Sequence, residues 1–169
     1  MTRVDVTMAT LLSADAIAKI DKEIAKYPVE HKASAVMSSL AIAQQERGWL
    51  SEDVIEFVAS YLDMPPIAVW EVATFYGMYN LEKPGRFKIA ICTNLPCALR
   101  GANDAADHLK RKLQIDFNQT TADGLFTLKE GECMGACGDA PVCIVNDRKM
   151  MSFMTPENLD SMLDELKNR

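Results

Sequence analysis

No apolar run in these 169 residues approaches the ~20 that a helix needs to cross a bilayer. Positive charge is also short. The 18 Lys and Arg stand against 24 Asp and Glu, for a formal net charge of −6, which argues against binding nucleic acid by neutralising phosphates. Met1–Thr10 contains Arg3 and Asp5 but neither the apolar stretch of a secretory signal nor the Arg-rich, acid-poor pattern of a transit peptide. The expectation is a bacterial cytoplasmic chain, or a mature sequence lacking its leader. Asn118-Gln-Thr120 matches the glycosylation pattern, which without secretion is a chance match. No G-x-G-x-x-G, P-loop or H-E-x-x-H is present, so nothing points to nucleotide or NADH binding by this chain. Histidine is scarce. His31 and His108 lie far from each other and from every cysteine in sequence, and read as surface or helix residues rather than ligands.

What is present is ordinary for a globular protein: 49% hydrophobic and 25% charged residues. The halves differ. Residues 1–85 carry 7 basic and 12 acidic residues, whereas residues 86–169 carry 11 and 12. All five cysteines, Cys92, Cys97, Cys133, Cys137 and Cys143, lie in the second half.

The first half reads as a small helical bundle. Ser13 caps a helix carrying Ile17, Ile20, Ile24 and Tyr27, which Pro28 stops. A second helix is expected from about Lys32 to Arg47, with Ala33, Val36, Met37, Leu40 and Ala43 as its stripe and Gly48 at C′. Ser51 caps a third, with Ile55, Val58 and Leu62 facing inward. Pro65-Pro66 opens a fourth that runs through Ile67, Val69, Trp70, Val72 and Ala73 to Phe75-Tyr76, with Gly77 as its break. Trp70, Phe75, Tyr76 and Tyr79 read as core packing, with a partner-facing surface as the sharper alternative.

Lys83-Pro84-Gly85 marks a boundary, giving domains 1–84 and 85–169. Beyond it, Phe87, Ile89 and Ile91 alternate as a strand. A helix from about Ala98 to Leu113 is expected to show Leu99, Ala102, Ala106, Leu109 and Leu113 on one face. Asp123-Gly124 turns into a strand from Leu125, Val142–Val145 forms another, and Asn146-Asp147-Arg148 makes a hairpin with Lys149–Phe153. Thr155-Pro156 caps a terminal helix through Leu159, Met162, Leu163 and Leu166. The order β-α-β-β-β-α is α+β of thioredoxin-like type, with a mostly antiparallel second portion. Lys110-Arg111-Lys112 reads as a solvated face, and Met150, Met151 and Met154 as packing residues.

The cysteines fall into a C-x4-C pair, Cys92 and Cys97, and a C-x3-C pair, Cys133 and Cys137, 35 residues apart. Each pair follows an expected strand, so the fold can gather four thiolates at one end of the sheet. Such a set suits an iron–sulfur cluster or structural zinc. Zinc sites favour tighter pairs, and the longer spacings, with Gly135 and Gly138, let backbone N–H groups approach sulfur. A thioredoxin-type redox role is disfavoured because no C-x-x-C occurs. Cys143, inside Pro141–Val145, reads as a small buried hydrophobe.

The residues Val72–Tyr76, Cys92-Thr-Asn-Leu-Pro-Cys97, Arg100-Gly101, Asp123-Gly124, Glu132-Cys133-Met-Gly-Ala-Cys137 and Ala140-Pro141 resemble, in this order, the thioredoxin-like [2Fe–2S] subunit of NADH–quinone oxidoreductase (respiratory complex I). The resemblance runs from about Ser13 to the end. It implies one [2Fe–2S] cluster on Cys92, Cys97, Cys133 and Cys137, with Cys143 outside the ligand set. It implies a larger flavoprotein partner that binds FMN and NADH, further hydrophilic-arm subunits, and a peripheral place on the cytoplasmic face of the inner membrane, or in the mitochondrial matrix for a processed eukaryotic chain. No catalysis by the chain alone is implied. Similar subunits serve NAD-linked formate dehydrogenases and bidirectional hydrogenases, and a zinc-stabilised interaction module is the alternative of another class.

Overall fold

The computed structural model describes residues 11–169, and the chain divides into two compact units between Lys83 and Pro84.

The first unit is helical. Helix α1 (Ala14–Ile24) starts where expected, the Ser13 hydroxyl oxygen accepting the Ala16 N–H. Ser13 also donates its own N–H and O–H to the Glu46 carboxylate at 2.8 and 2.6 Å, which holds that carboxyl below its usual range. Glu46 belongs to α2 (Val36–Arg47), so the start of one helix is tied to the end of the next. Gly48 follows at φ 83, its N–H donated to the Gln44 carbonyl, as a left-handed helix end requires.

The expected stripe of α2 needs correcting. Val29–Ala35 winds as a 3-10 segment kinked at His31, and α2 begins only at Val36. The tighter winding shifts the register, so Ala33 and Met37 are exposed while Val36, Ser39, Leu40 and Ala43 are buried. Helix α3 (Glu52–Tyr61) buries Ile55 and Val58, as expected, and Leu62 just beyond its end. Helix α4 (Pro66–Phe75) buries Val69 and Ala73 and stops at extended Tyr76, one residue before the expected Gly77 break. The aromatic segment divides. Tyr79 is buried and donates its O–H to the Met37 carbonyl at 2.9 Å, whereas Phe75 is 79% exposed.

The second unit is a five-stranded sheet of β1 (Phe87–Cys92), β2 (Gln119–Thr120), β3 (Phe126–Gly131), β4 (Cys143–Val145) and β5 (Lys149–Met151), in the order β2-β3-β1-β4-β5. The central strand β1 (Phe87–Cys92) pairs parallel with β3 (Phe126–Gly131), in register from Phe87–Phe126 to Cys92–Gly131. On its other side it pairs antiparallel with β4 (Cys143–Val145), which forms the expected hairpin with β5 (Lys149–Met151). Asn146 and Asp147, at φ 51 and 55, make the turn. Strand β2 (Gln119–Thr120) has no counterpart in the sequence pattern. It is two exposed residues antiparallel to β3, with the Thr120 and Thr127 hydroxyls 2.7 Å apart.

The single helix expected from Ala98 to Leu113 is two: α5 (Leu95–Ala98) and α6 (Ala102–Leu113). Gly101, at φ 89, breaks the register between them. Leu99 is therefore 79% exposed rather than on the buried face with Ala102, Ala106 and Leu109. Helix α6 is the crossover that parallel β1 and β3 demand. Helix α7 (Pro156–Lys167) starts as expected, the Thr155 hydroxyl accepting the Asn158 N–H. The core gathers Ile89, Ile91, Phe126 and Leu128 of the sheet with Leu109 of α6 and Leu159 and Leu163 of α7. Among the described residues no helix is long and apolar enough to cross a membrane.

Candidate metal centre

Parallel pairing decides where the cysteines meet. Strands β1 and β3 run in the same direction, so both leave the sheet at one end, Cys92 level with Gly131. The Cys92 N–H is donated to the Val142 carbonyl at 3.0 Å, which anchors this end to the segment entering β4. Asn94 then starts α5, with Pro96 in its first turn, and its carbonyl accepts the N–H groups of Cys97 and Ala98 at 2.9 Å each. That one turn returns Cys97 toward Cys92. Both are 1% exposed and share a small cluster with Ala102, Ala140 and Val142.

The Cys97 thiol interacts with those of Cys92 and Cys137, and burial above all pushes it up to about 12. Cys137 opens a 3-10 turn, Cys137–Asp139. Three of the four expected ligands are thus brought together, and the fourth, Cys133, stands exposed on the loop that leads to Cys137. Two glycines shape this stretch, Gly131 at the end of β3 and Gly135 in the loop. Gly135 sits at φ 71. At Gly131 an added Cβ would come within 2.7 Å of the Met134 Cε and 3.0 Å of the Ile91 carbonyl oxygen, so the close approach of this segment to β1 requires a residue without a Cβ.

A thiol raised by burial, as that of Cys97 is, makes a poor nucleophile but suits a centre whose cation replaces its proton. Among the described residues no three Cys, His, Asp or Glu side chains converge on one ion-sized point. A binuclear cluster takes two thiolates at each iron, which asks for adjacent pairs instead. The interaction of Cys97 with Cys92 supplies one such pair, its interaction with Cys137 brings the second loop beside it, and Cys133 stands exposed on that loop.

The other candidates fall elsewhere. Cys143 lies in the main core, fully buried, its thiol donating to the Met162 sulfur at 3.9 Å, and burial pushes it up to about 12. His108 bonds Asp160 at 2.8 Å, joining α6 to α7, while His31 sits exposed in the kinked 3-10 segment. In the basic run, Lys110 pairs with Asp116 and Lys112 with Asp160.

Sequence reasoning missed the polar links between the two ligand loops. The Thr93 hydroxyl donates to Glu130 at 2.7 Å, and the Asn94 amide to Glu132 at 3.4 Å. Their spacing in sequence carries no signal, because the β1–β3 register that brings them together arises only from the crossover. Apolar side chains are exposed on segments next to the cysteines: Leu95 and Leu99 flank Cys97 in sequence, and Phe153 donates its N–H to the Asp139 carbonyl, two residues after Cys137.

Residues 20–167 match the family described as Thioredoxin-like [2Fe-2S] ferredoxin. An NADH-quinone oxidoreductase subunit of Rickettsia felis is 43% identical over 146 residues, which are 86% of this chain and 87% of that one. Its counterpart in Rickettsia bellii is 44% identical over the same shares. The NADH dehydrogenase [ubiquinone] flavoprotein 2, mitochondrial, of Dictyostelium discoideum is 37% identical over 90% of this chain and 62% of that one. Among solved structures, an air-oxidized NAD+-reducing [NiFe]-hydrogenase aligns with 76% of this chain and 22% of its own at TM-score 0.66 and 22% identity, a likeness of fold.

Proposed function

The chain belongs to the thioredoxin-like [2Fe–2S] ferredoxin family, and we propose that it is the electron-transfer subunit of an NADH–quinone oxidoreductase, with Cys92, Cys97, Cys133 and Cys137 as the ligands of one [2Fe–2S] cluster. The observation that carries the ligand set is the approach of Cys97 to both Cys92 and Cys137 at the shared end of β1 and β3, with Cys143 held apart in the main core. The choice of complex is supported by the two Rickettsia relatives, which this chain matches over most of their length.

Bound there, a [2Fe–2S] cluster supplies one-electron redox chemistry. Cys92 and Cys97, both buried, would hold it on the side shut off from water, and Cys133 and Cys137 would hold it from the loop side. Gly135 and Gly138 carry no Cβ, and backbone N–H groups of this segment would offset the charge of four thiolates. The partner is a larger flavoprotein that binds FMN and NADH and exchanges single electrons with this chain. Leu95, Leu99 and Phe153, exposed on segments next to the cysteines, provide apolar surface of the kind such docking covers. The complex is placed on the cytoplasmic face of the inner membrane, with this chain peripheral.

The test is elemental and spectroscopic. The purified full chain is expected to be reddish-brown, with about two irons and two labile sulfides, and to give a [2Fe–2S] paramagnetic signal on reduction. A colourless chain with stoichiometric zinc overturns the reading. Mass spectrometry of proteins captured with the tagged chain from its own cells is expected to return the flavin-bearing subunit and quinone-linked partners.

A further inference from the structure

We propose that Glu130 and Glu132 are positioning residues that hold fixed negative charge beside the cysteine ligands and bias the centre against accepting an electron. The inference rests on the ligand reading above and goes beyond it, since neither carboxylate belongs to the ligand set.

Three observations carry it. First, the register places Glu130 opposite Ile91 and Gly131 opposite Cys92, so Glu130 stands in the last two residues of β3 and Glu132 directly follows its end, level with the point where the first ligand ends β1. Second, both are held from across the gap by the two residues that follow Cys92. The Thr93 hydroxyl donates to Glu130 at 2.7 Å, and the Asn94 amide donates to Glu132 at 3.4 Å. Asn94 is also the residue whose carbonyl anchors the turn bearing Cys97, and Glu132 precedes Cys133 directly. The two links therefore join the loop of one ligand pair to the loop of the other. Third, both donors are neutral. A neutral donor fixes a carboxylate in place without cancelling its charge, unlike the lysines that pair with Asp63 and Asp116 elsewhere in the chain.

The electrostatic consequence has one sign. Four thiolates leave the centre negative, and an added electron makes it more so, so each fixed carboxylate nearby raises the cost of reduction. Both carboxylates are exposed, so water and salt screen them and the effect is moderate.

The test is a paramagnetic-resonance redox titration of the full chain loaded with its cluster, comparing wild type with Glu130→Gln, Glu132→Gln, the double variant and Thr93→Val. Glutamine keeps an acceptor oxygen for Thr93 or Asn94 while removing the charge. The double variant is expected to keep the wild-type absorption spectrum and to titrate at a more positive potential. At a fixed poise its reduced-to-oxidised ratio should rise at least about threefold, and each single variant should give part of that change. Thr93→Val, which frees the carboxylate but keeps its charge, should move the potential less than Glu130→Gln. Restoring the charge as Asp at both positions should return the potential most of the way. An intact spectrum with an unmoved potential in the double variant overturns the inference alone. A wild-type chain that binds no iron overturns the ligand reading and the inference with it. If the double variant fails to load, the two single variants decide the matter by the same comparison.

Discussion

The two cysteine pairs are built differently. Cys92 and Cys97 belong to regular structure, one ending a central strand and the other returned by a single helical turn, and both are shut away from solvent. Cys133 and Cys137 lie on a glycine-bearing loop, one exposed and the other half-buried. A pair set by strand and turn is held by backbone hydrogen bonds that need no metal: Cys92 N–H to the Val142 carbonyl and Cys97 N–H to the Asn94 carbonyl. A pair outside the sheet, one member exposed and the other opening a 3-10 turn, is held by fewer such bonds. One side of the centre is a fixed wall and the other a cover.

Removing the wall should do the most damage. Cys97→Ser is expected to lose the cluster and also to lower the stability of the metal-free chain by about 1–3 kcal/mol, since a hydroxyl then sits in the small apolar cluster. Cys133→Ser should likewise lose or weaken the cluster but leave metal-free stability within about 0.5 kcal/mol, as an exposed substitution does. Iron analysis together with thermal unfolding of the apo chain separates the two effects. Equal apo destabilisation by both variants would break the comparison.

Gly131→Ala sharpens it from the loop side. The added methyl meets the Ile91 carbonyl oxygen at 3.0 Å and the Met134 Cε at 2.7 Å. The methionine can swing away, but the strand backbone cannot. A cost of about 1–3 kcal/mol is expected, with poorer iron retention because the segment before Cys133 is pushed off β1. Unchanged cluster occupancy after repeated chelator challenge would show that this approach does not matter.

Cys143 supplies the control. Cys143→Ala should keep the cluster and lose about 1 kcal/mol of packing. It should also change the alkaline limb of stability. Burial raises the folded Cys143 thiol from an ordinary 9.0 to about 12. The neutral-thiol contribution is therefore fully present below the unfolded value and is lost as pH climbs through that window. Over that range the wild type should lose stability more steeply than Cys143→Ala, as read by denaturant titrations at stepped pH. Identical slopes would place the thiol in a wetter site than the core.

Much of the fold is legible in the sequence. Ser13, Gly48, Thr155 and Pro156 announce helix ends through chemistry that is local to a few residues, and the structure puts them there. The α+β order of the second unit and its hairpin are also readable, because alternation and turn residues act over short spans. The failures share a cause. Leu99 reads as helix stripe until Gly101 turns left-handed and resets the register. Ala33 and Met37 fit a helical period that the 3-10 segment does not follow. Strand β2 has no apolar pattern, since it exists by pairing with β3. In the candidate site, the cysteine spacing points to the two pairs, but the Thr93–Glu130 and Asn94–Glu132 links depend on a register fixed only after α6 has crossed over.

That crossover also sets a timetable. On a growing chain Cys92 and Cys97 are made first, and they wait through all of α6, the following turn and β3 before Cys133 and Cys137 exist. Because a parallel neighbour is reached only by closing the intervening loop, iron delivered early meets two thiols and no partner strand. A centre that draws on all four of these thiols is therefore complete only once β3 has paired with β1.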